Sequence, residues 1–193
     1  MGSAPWLSVC FGVMTLFIVY FFRDPERSLP AWANEGSSTE WIVSPGDGKI
    51  VDILSVSEER LLQKPAIRIS IFLNIFDVHV NRSPVAGKVL HVVYNPGRFF
   101  SAHVPKASLE NEQNAILLET PKGRRVVCVQ IAGLIARRIV CWVSGGTTLK
   151  EGERLGMIRF GSRVDLYLPE HTDLQVSVGD RVRGGETILG RLP

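Results

Sequence analysis

A mainly β (α+β) chain is predicted: an antiparallel β sandwich or barrel-like body preceded by one N-terminal hydrophobic helix. Three observations carry the prediction. The first 22 of 193 residues hold no charge, so all 41 Lys, Arg, Asp and Glu side chains fall in the remaining 171. Beyond Pro30 the apolar residues mostly recur at every second position. Turn signals at Pro45-Gly46-Asp47-Gly48, Pro96-Gly97, Gly145-Gly146 and Gly184-Gly185 break that alternation into short runs. The length suits one domain with a short appendage. A formal net charge of +3 gives no nucleic-acid signal. Cys10, Cys128 and Cys141 lack CxxC spacing, which argues against a disulfide framework and a zinc site, so no metal is expected.

The charge-free head comes first. Trp6 to Phe22 (WLSVCFGVMTLFIVYFF) is 17 residues, the low end of what spans a bilayer as a helix. Counted from Met1, the uncharged run would be about 33 Å of helix. Aromatics stand at both ends, and Arg23 and Arg27 follow at once. The positive-inside tendency then puts the body on the cytoplasmic side of the cell (inner) membrane. A signal peptide would want a basic start and a small-x-small cleavage site, but the run ends in FFRDPER. Residues 1–27 are therefore read as a membrane anchor with a basic flank, spanning the bilayer or lying in one leaflet, with a buried core helix as the alternative. Residues 28–193 are read as a single β-rich domain.

In the body, Ile67, Ile69, Ile71 and Leu73 alternate with Arg68, Ser70 and Phe72, and Val164, Leu166 and Leu168 alternate with Arg163, Asp165 and Tyr167. Further strands are expected at 49–56, 88–94, 115–119, 124–131, 139–143, 174–178 and 187–190. The one helical expectation is 107–114 (ASLENEQN). There is an internal echo, since Ser44-Pro-Gly-Asp-Gly-Lys-Ile-Val matches Ser83-Pro-Val-Ala-Gly-Lys-Val-Leu. The tail at 176–192 resembles the closing hairpin of biotinyl and lipoyl carrier domains, without their carrier lysine motif, which implies geometry and not carrier function.

Several residues could carry chemistry. In Phe160-Gly161-Ser162-Arg163, a Ser after Gly between apolar strands is ordinarily a bend or bulge. Yet Gly tolerates strained dihedrals and leaves its carbonyl open, so the Ser162 hydroxyl is an intramolecular nucleophile beside its target. In Asp77-Val78-His79-Val80-Asn81-Arg82, alternation puts Asp77, His79 and Asn81 on one face, either solvated or as an acid/base His tuned by a carboxylate. His91, His103 and His171 are expected at the surface. Asp47 sits in a turn, where Asp is at home for local reasons. Asn111, Glu112 and Asn114 read as helix-cap or surface residues.

These segments, together and in order, resemble phosphatidylserine decarboxylase in its short bacterial and archaeal form. The matching stretches are FFRDPER (21–27), SPGDGKI (44–50), IFLNIFDVHVNRSPVAGKV (71–89), YNPGRFFSA (94–102), NEQN (111–114), VQIAGLIARRIV (129–140) and EGERLGMIRFGSRVDLYLP (151–169). The resemblance implies a self-processing proenzyme cut at Gly161-Ser162. The Ser162 hydroxyl would convert the amide to an ester, and elimination and hydrolysis would then release ammonia and leave a pyruvoyl group. The products would be a β chain, 1–161, and an α chain, 162–193, held together as a heterodimer because 32 residues are too few to fold alone. The pyruvoyl cofactor would form a Schiff base with the serine amine of the phospholipid and accept the electrons left when carbon dioxide departs.

Residue roles follow by position. Asp47 matches an Asp that acts in self-cleavage with a His and the Ser. Asp77 and His79 match a D-x-H motif, and His79 is read as the proton donor and acceptor in decarboxylation. Longer enzymes have a second His where this chain has Arg82. Self-cleavage therefore falls either to His79 in both roles or to Asp47 without a triad His. Asn81, Arg82, Asn111 and Glu112 are the substrate-binding candidates, and Arg23, Arg27, Arg98, Arg137, Arg138 and Arg163 are candidates for lipid phosphate. The implied partners are the phospholipid and the membrane, with homodimerisation of protomers left open. Alternatives are a related serine lipid such as archaetidylserine, or a non-enzymatic membrane-anchored β domain.

Overall fold

In the computed structural model, which describes residues 4–30, 39–97, 111–133, 138–159 and 161–193, the apolar head is a single helix, α1 (Ala4–Phe21). Its side chains are exposed over most of its length, with Trp6 at 75% and Leu16 at 71%, whereas Phe21 in the last turn is fully buried against the body. Among the described residues, no helix is long and apolar enough to cross a membrane.

The body is built from short strands. In order they are β1 (Trp41–Val43), β2 (Gly48–Glu58), β3 (Lys64–Leu73), β4 (Val80–Arg82) and β5 (Gly87–Asn95). Then come β6 (Gln113–Glu119), β7 (Arg125–Ala132), β8 (Ile139–Cys141), β9 (Thr148–Leu149) and β10 (Arg154–Ile158). The chain ends with β11 (Ser162–Pro169), β12 (Asp173–Leu174), β13 (Arg181–Val182) and β14 (Ile188–Arg191). An eight-stranded sheet runs β13-β2-β3-β11-β7-β6-β5-β9, and two three-stranded sheets run β1-β14-β12 and β4-β10-β8. The strand pairs are antiparallel, as expected of a mainly β body with one N-terminal helix. The alternation in β3 and β11 has its predicted result: Ile69, Ile71, Leu73, Val164, Leu166 and Leu168 enter one core cluster.

The large sheet is a palindrome. About its centre, β13 corresponds to β9, β2 to β5, β3 to β6 and β11 to β7, and the two small sheets correspond strand for strand. The sequence echo is the local trace of this. Val43 N–H donates to the Pro84 carbonyl (2.8 Å) and Arg82 N–H to the Pro45 carbonyl (2.9 Å). Ser44 Oγ donates to Gly46 O and Ser83 Oγ to Val85 O, both at 2.7 Å. Gly48 and Gly87 open the matching strands because a Cβ at either would lie 2.3 or 2.4 Å from a neighbouring strand's carbonyl oxygen.

The molecule is thus two equivalent seven-strand units, and the second (β4–β10) is inserted into the first between β3 and β11. Where the second unit has a tight turn from β6 to β7, closed by the Glu119–Arg125 pair, the first has the whole insertion. The chain leaves at Leu73 and returns at Ser162, which are cross-strand partners. Asp77, His79 and Gly161-Ser162 all lie at that junction.

The expected helix at 107–114 is corrected in its described half. Asn111 forms a β bridge and Gln113–Glu119 is strand, because pairing with both β5 and β7 overrides weak local propensity. Residues 107–110 lie outside the described residues, as do Arg98, His103, Arg137 and Phe160. The carrier-like tail closes the body by dividing: β13 adds to β2, and β14 lies between β1 and β12.

Candidate active site at the junction of the two units

His79 is fully buried. Its Nδ1 lies 2.9 Å from the backbone carbonyl of Asp77, and its Nε2 accepts a long hydrogen bond (3.4 Å) from the Gly161 N–H. These contacts set the tautomer: Nδ1 carries the proton, and the Nε2 lone pair faces the residue that owns the Gly161-Ser162 carbonyl. The Phe21 ring covers the imidazole, with centroids 4.2 Å apart and planes at 37°. Burial pushes the His79 pKa down to about 4, opposed by the carbonyl and charge of Asp77 and reinforced by repulsion from Arg23. At neutral pH the imidazole is an uncharged base.

That shift has a sign. The unfolded chain binds this proton near the ordinary value of 6.5 and the folded chain near 4, so stability rises with pH between the two. The contribution is about 3 kcal/mol, fully present above pH 6.5 and lost as pH falls through 4. Denaturant titrations from pH 4 to 7 should show this rise, and His79→Gln should remove it.

Gly161 has φ +67°, the left-handed region, while nothing lies within 4 Å of where its Cβ would be. Glycine is needed here for its dihedral and not for crowding. Ser162 is also fully buried, and its Oγ has no hydrogen-bond partner among the described residues. An unpaired buried hydroxyl costs roughly 1–3 kcal/mol.

The other expected residues divide. Ala132, the cross-strand partner of Ser162, accepts from Asn111 Nδ2 at its carbonyl (2.7 Å) and donates its N–H to the Glu112 carbonyl (3.0 Å). Asn111 and Glu112 therefore stand across β7 from Ser162, two strand spacings away. Glu112 is buried, accepts from the Tyr94 hydroxyl at Oε1 (3.0 Å), and has no partner at Oε2 among the described residues. Asn81 is instead part of a core relay, in which Asn114 donates to Gln130 Oε1 and Gln130 Nε2 donates to Asn81 Oδ1. Arg82 donates to Asp24, to the Pro25 carbonyl and to the Gly152 carbonyl, tying down the segment after α1.

Asp77 acts through two different groups. Its carbonyl orients His79, while its carboxylate closes the 74–77 turn by accepting from Asn74 N–H (2.9 Å) and pairs with Arg181 (2.9 Å). Asp47 accepts from Arg27 (2.9 Å) and from Gly184 N–H (2.7 Å), so both oxygens are engaged away from His79 and Ser162. Arg163 is locked in a buried pair with Asp165 and donates to Ser70, which takes it away from a lipid phosphate. His91 and His171 are exposed as expected.

Phe21 was not legible from the sequence, since its contact with His79 spans 58 positions and no spacing signals it. Nor was the set of ion pairs that fixes its chain: Arg27 with Asp47 and Glu186, Arg82 with Asp24, and Arg154 with Asp24 and Glu26. The cluster of acids and bases in FFRDPER was the available signal.

Comparison with known proteins puts this geometry in context. The phosphatidylserine decarboxylase family profile matches residues 14–190. A phosphatidylserine decarboxylase proenzyme of Desulfotalea psychrophila is 50% identical over 186 residues, 96% of this chain and 84% of the relative. One of Syntrophus aciditrophicus is 50% identical over 185 residues, covering 96% and 84%. One of Rickettsia akari is 52% identical over 184 residues, covering 93% and 77%. Similarity at this level runs from the helix through both seven-strand units and across the Gly161-Ser162 junction, and on that ground the chain belongs to the phosphatidylserine decarboxylase family, a family of decarboxylases.

Proposed function

We propose that this chain is a proenzyme that cuts itself at Gly161-Ser162 and then decarboxylates phosphatidylserine to phosphatidylethanolamine at a membrane surface. The observation that carries the reading is the buried, unpartnered Ser162 Oγ following a left-handed Gly161 whose N–H meets a neutral His79. His79 Nε2 takes the Oγ proton as Oγ bonds to the Gly161 carbonyl carbon, and the amide C–N bond breaks with that proton going to nitrogen. Loss of the Ser162 α proton then breaks the Cβ–O bond and frees Gly161 as a carboxylate. Water replaces the remaining nitrogen, which leaves as ammonia.

The open space at Gly161 and the unpartnered Oγ fit a pyruvoyl group at position 162. Such a group supplies an electron sink for a carbanion. Around it, His79 removes a proton from the substrate ammonium and returns one to carbon after carbon dioxide leaves. The unpartnered Glu112 Oε2, two strands away across β7, suits the ammonium before that transfer. The α chain stays in place after cleavage because β11 is central, paired to β3 on one side and β7 on the other.

Asp47 acts as a positioning residue. Through Arg27 it holds the segment that presents Phe21 to His79. Asp47→Ala should cost about 1–3 kcal/mol, read as a lowered thermal midpoint, and should slow cleavage without abolishing it.

Membrane association rests on α1, whose apolar side chains are exposed all round from Trp6 to Leu16, as they would be in lipid. Arg23 and Arg27 at its C-terminal end favour a cytoplasmic body on the inner membrane. The test is turnover by purified protein on vesicles of phosphatidylserine and, in parallel, of an ether-linked serine phospholipid. Carbon dioxide and phosphatidylethanolamine from the first are expected. Turnover of the second alone would move the substrate to the ether lipid, and turnover of neither would overturn the reading.

A further inference from the structure

We propose that the Ile75–Phe76 turn is a second lipid-inserting element, which seats the body on an anionic phospholipid bilayer with His79 directly behind it. This rests on the reading of α1 as a membrane element. The turn is rigid: Asp77 N–H donates to the Asn74 carbonyl (3.0 Å), Asn74 N–H to Asp77 Oδ2 (2.9 Å), and Phe76 N–H to Asn74 Oδ1 (2.8 Å). A tip so closed by Asx bonding is ordinarily polar. Here it projects two large apolar side chains, with Phe76 at 60% and Ile75 at 38% exposure.

The occupant follows from continuity. The Phe76 carbonyl accepts from the Tyr20 hydroxyl (3.2 Å) and from Arg23 Nη2 (2.7 Å), so the last turn of α1 is bonded to this tip. Arg23 also lies 3.8 Å over the Tyr20 ring. Whatever phase covers the exposed helix therefore reaches Tyr20, Phe22, Ile75 and Phe76 as one apolar surface. Aromatic rings at that level suit the headgroup boundary. Arg23 and the exposed Arg181, which pairs with Asp77, give the rim the charge that anionic headgroups attract. His79 is three residues beyond Phe76, which brings the site to headgroup depth.

The test uses the full chain carrying a nitroxide at Phe76→Cys, with Cys10→Ser and Cys141→Ser, in vesicles of phosphatidylcholine and phosphatidylglycerol. The Phe76 carbonyl, which makes the bonds to α1, is kept. Adding vesicles should cut collisions with an aqueous nickel chelate at least five-fold and raise those with oxygen. A label at Leu16→Cys reports on α1 separately. If position 16 is protected and position 76 stays open to nickel, this proposal fails and the anchor stands; if both stay open, both fail. Protection at 76 before vesicles are added would indicate a protein contact instead and would also overturn it. As a second measurement, Ile75→Ser with Phe76→Ser should raise KM on phosphatidylserine vesicles at least ten-fold. Self-cleavage and turnover of a short-chain, water-soluble phosphatidylserine should not change. An unchanged vesicle KM, or equal losses on both substrates, would contradict the docking role.

Discussion

Ser162→Ala should leave one uncut chain that still folds. Removing the nucleophile forfeits the effective molarity of a hydroxyl held beside its own carbonyl, a loss on the order of 10⁵-fold or more in cleavage rate. The fold should not suffer, because Ser162 Oγ makes no hydrogen bond that the substitution could break. Deleting a buried, unsatisfied hydroxyl should instead stabilise the precursor by roughly 1 kcal/mol or more. A variant both uncut and more resistant to denaturant separates a reactive serine from a structural one. A less stable variant would show that Ser162 holds the junction together.

His79→Gln should slow both self-cleavage and decarboxylation by about 10²–10⁴-fold, the usual scale for a lost general base. Gln keeps side-chain length and an amide that can bond the Asp77 carbonyl, so the junction should persist. The two activities are expected to fall together because Nε2 faces Gly161 before the cut and the same pocket afterwards. Normal cleavage with lost turnover would confine His79 to decarboxylation and reopen the question of the cleavage base. The pH profile adds a check. With the pKa near 4, cleavage should stay level from neutral pH until the imidazole is protonated, where an unperturbed His would already fail near 6.5.

Much of the fold was legible in the sequence because β structure leaves a period-two trace wherever one face is buried. β3 and β11 show it, and where they pair their apolar positions stand opposite one another, Ile69 to Leu166 and Ile71 to Val164. The Ser44 and Ser83 echo was visible too, but its meaning was not. That one seven-strand unit interrupts the other follows from hydrogen bonds between residues 37 apart and more, which no local pattern encodes. The site was half legible for the same reason. Gly161-Ser162 and His79 stand in readable motifs, yet their contact spans 82 positions. Asp47 read as a triad acid by resemblance, whereas its carboxylate binds Arg27 and Gly184, partners chosen by the tertiary fold. The 111–114 segment misled because four polar residues favour a helix end locally, while here they pair with β7, the strand beside Ser162.

The most direct test is the intact mass of the purified wild-type protein under denaturing conditions, taken on a sample that turns over phosphatidylserine. Two chains are expected from the 21.4 kDa precursor, of about 18 and 3.5 kDa in proportion to their 161 and 32 residues. The smaller should begin at position 162 with a blocked, ketone-bearing terminus. A single uncut chain of 21.4 kDa in a sample that still decarboxylates phosphatidylserine would contradict the account.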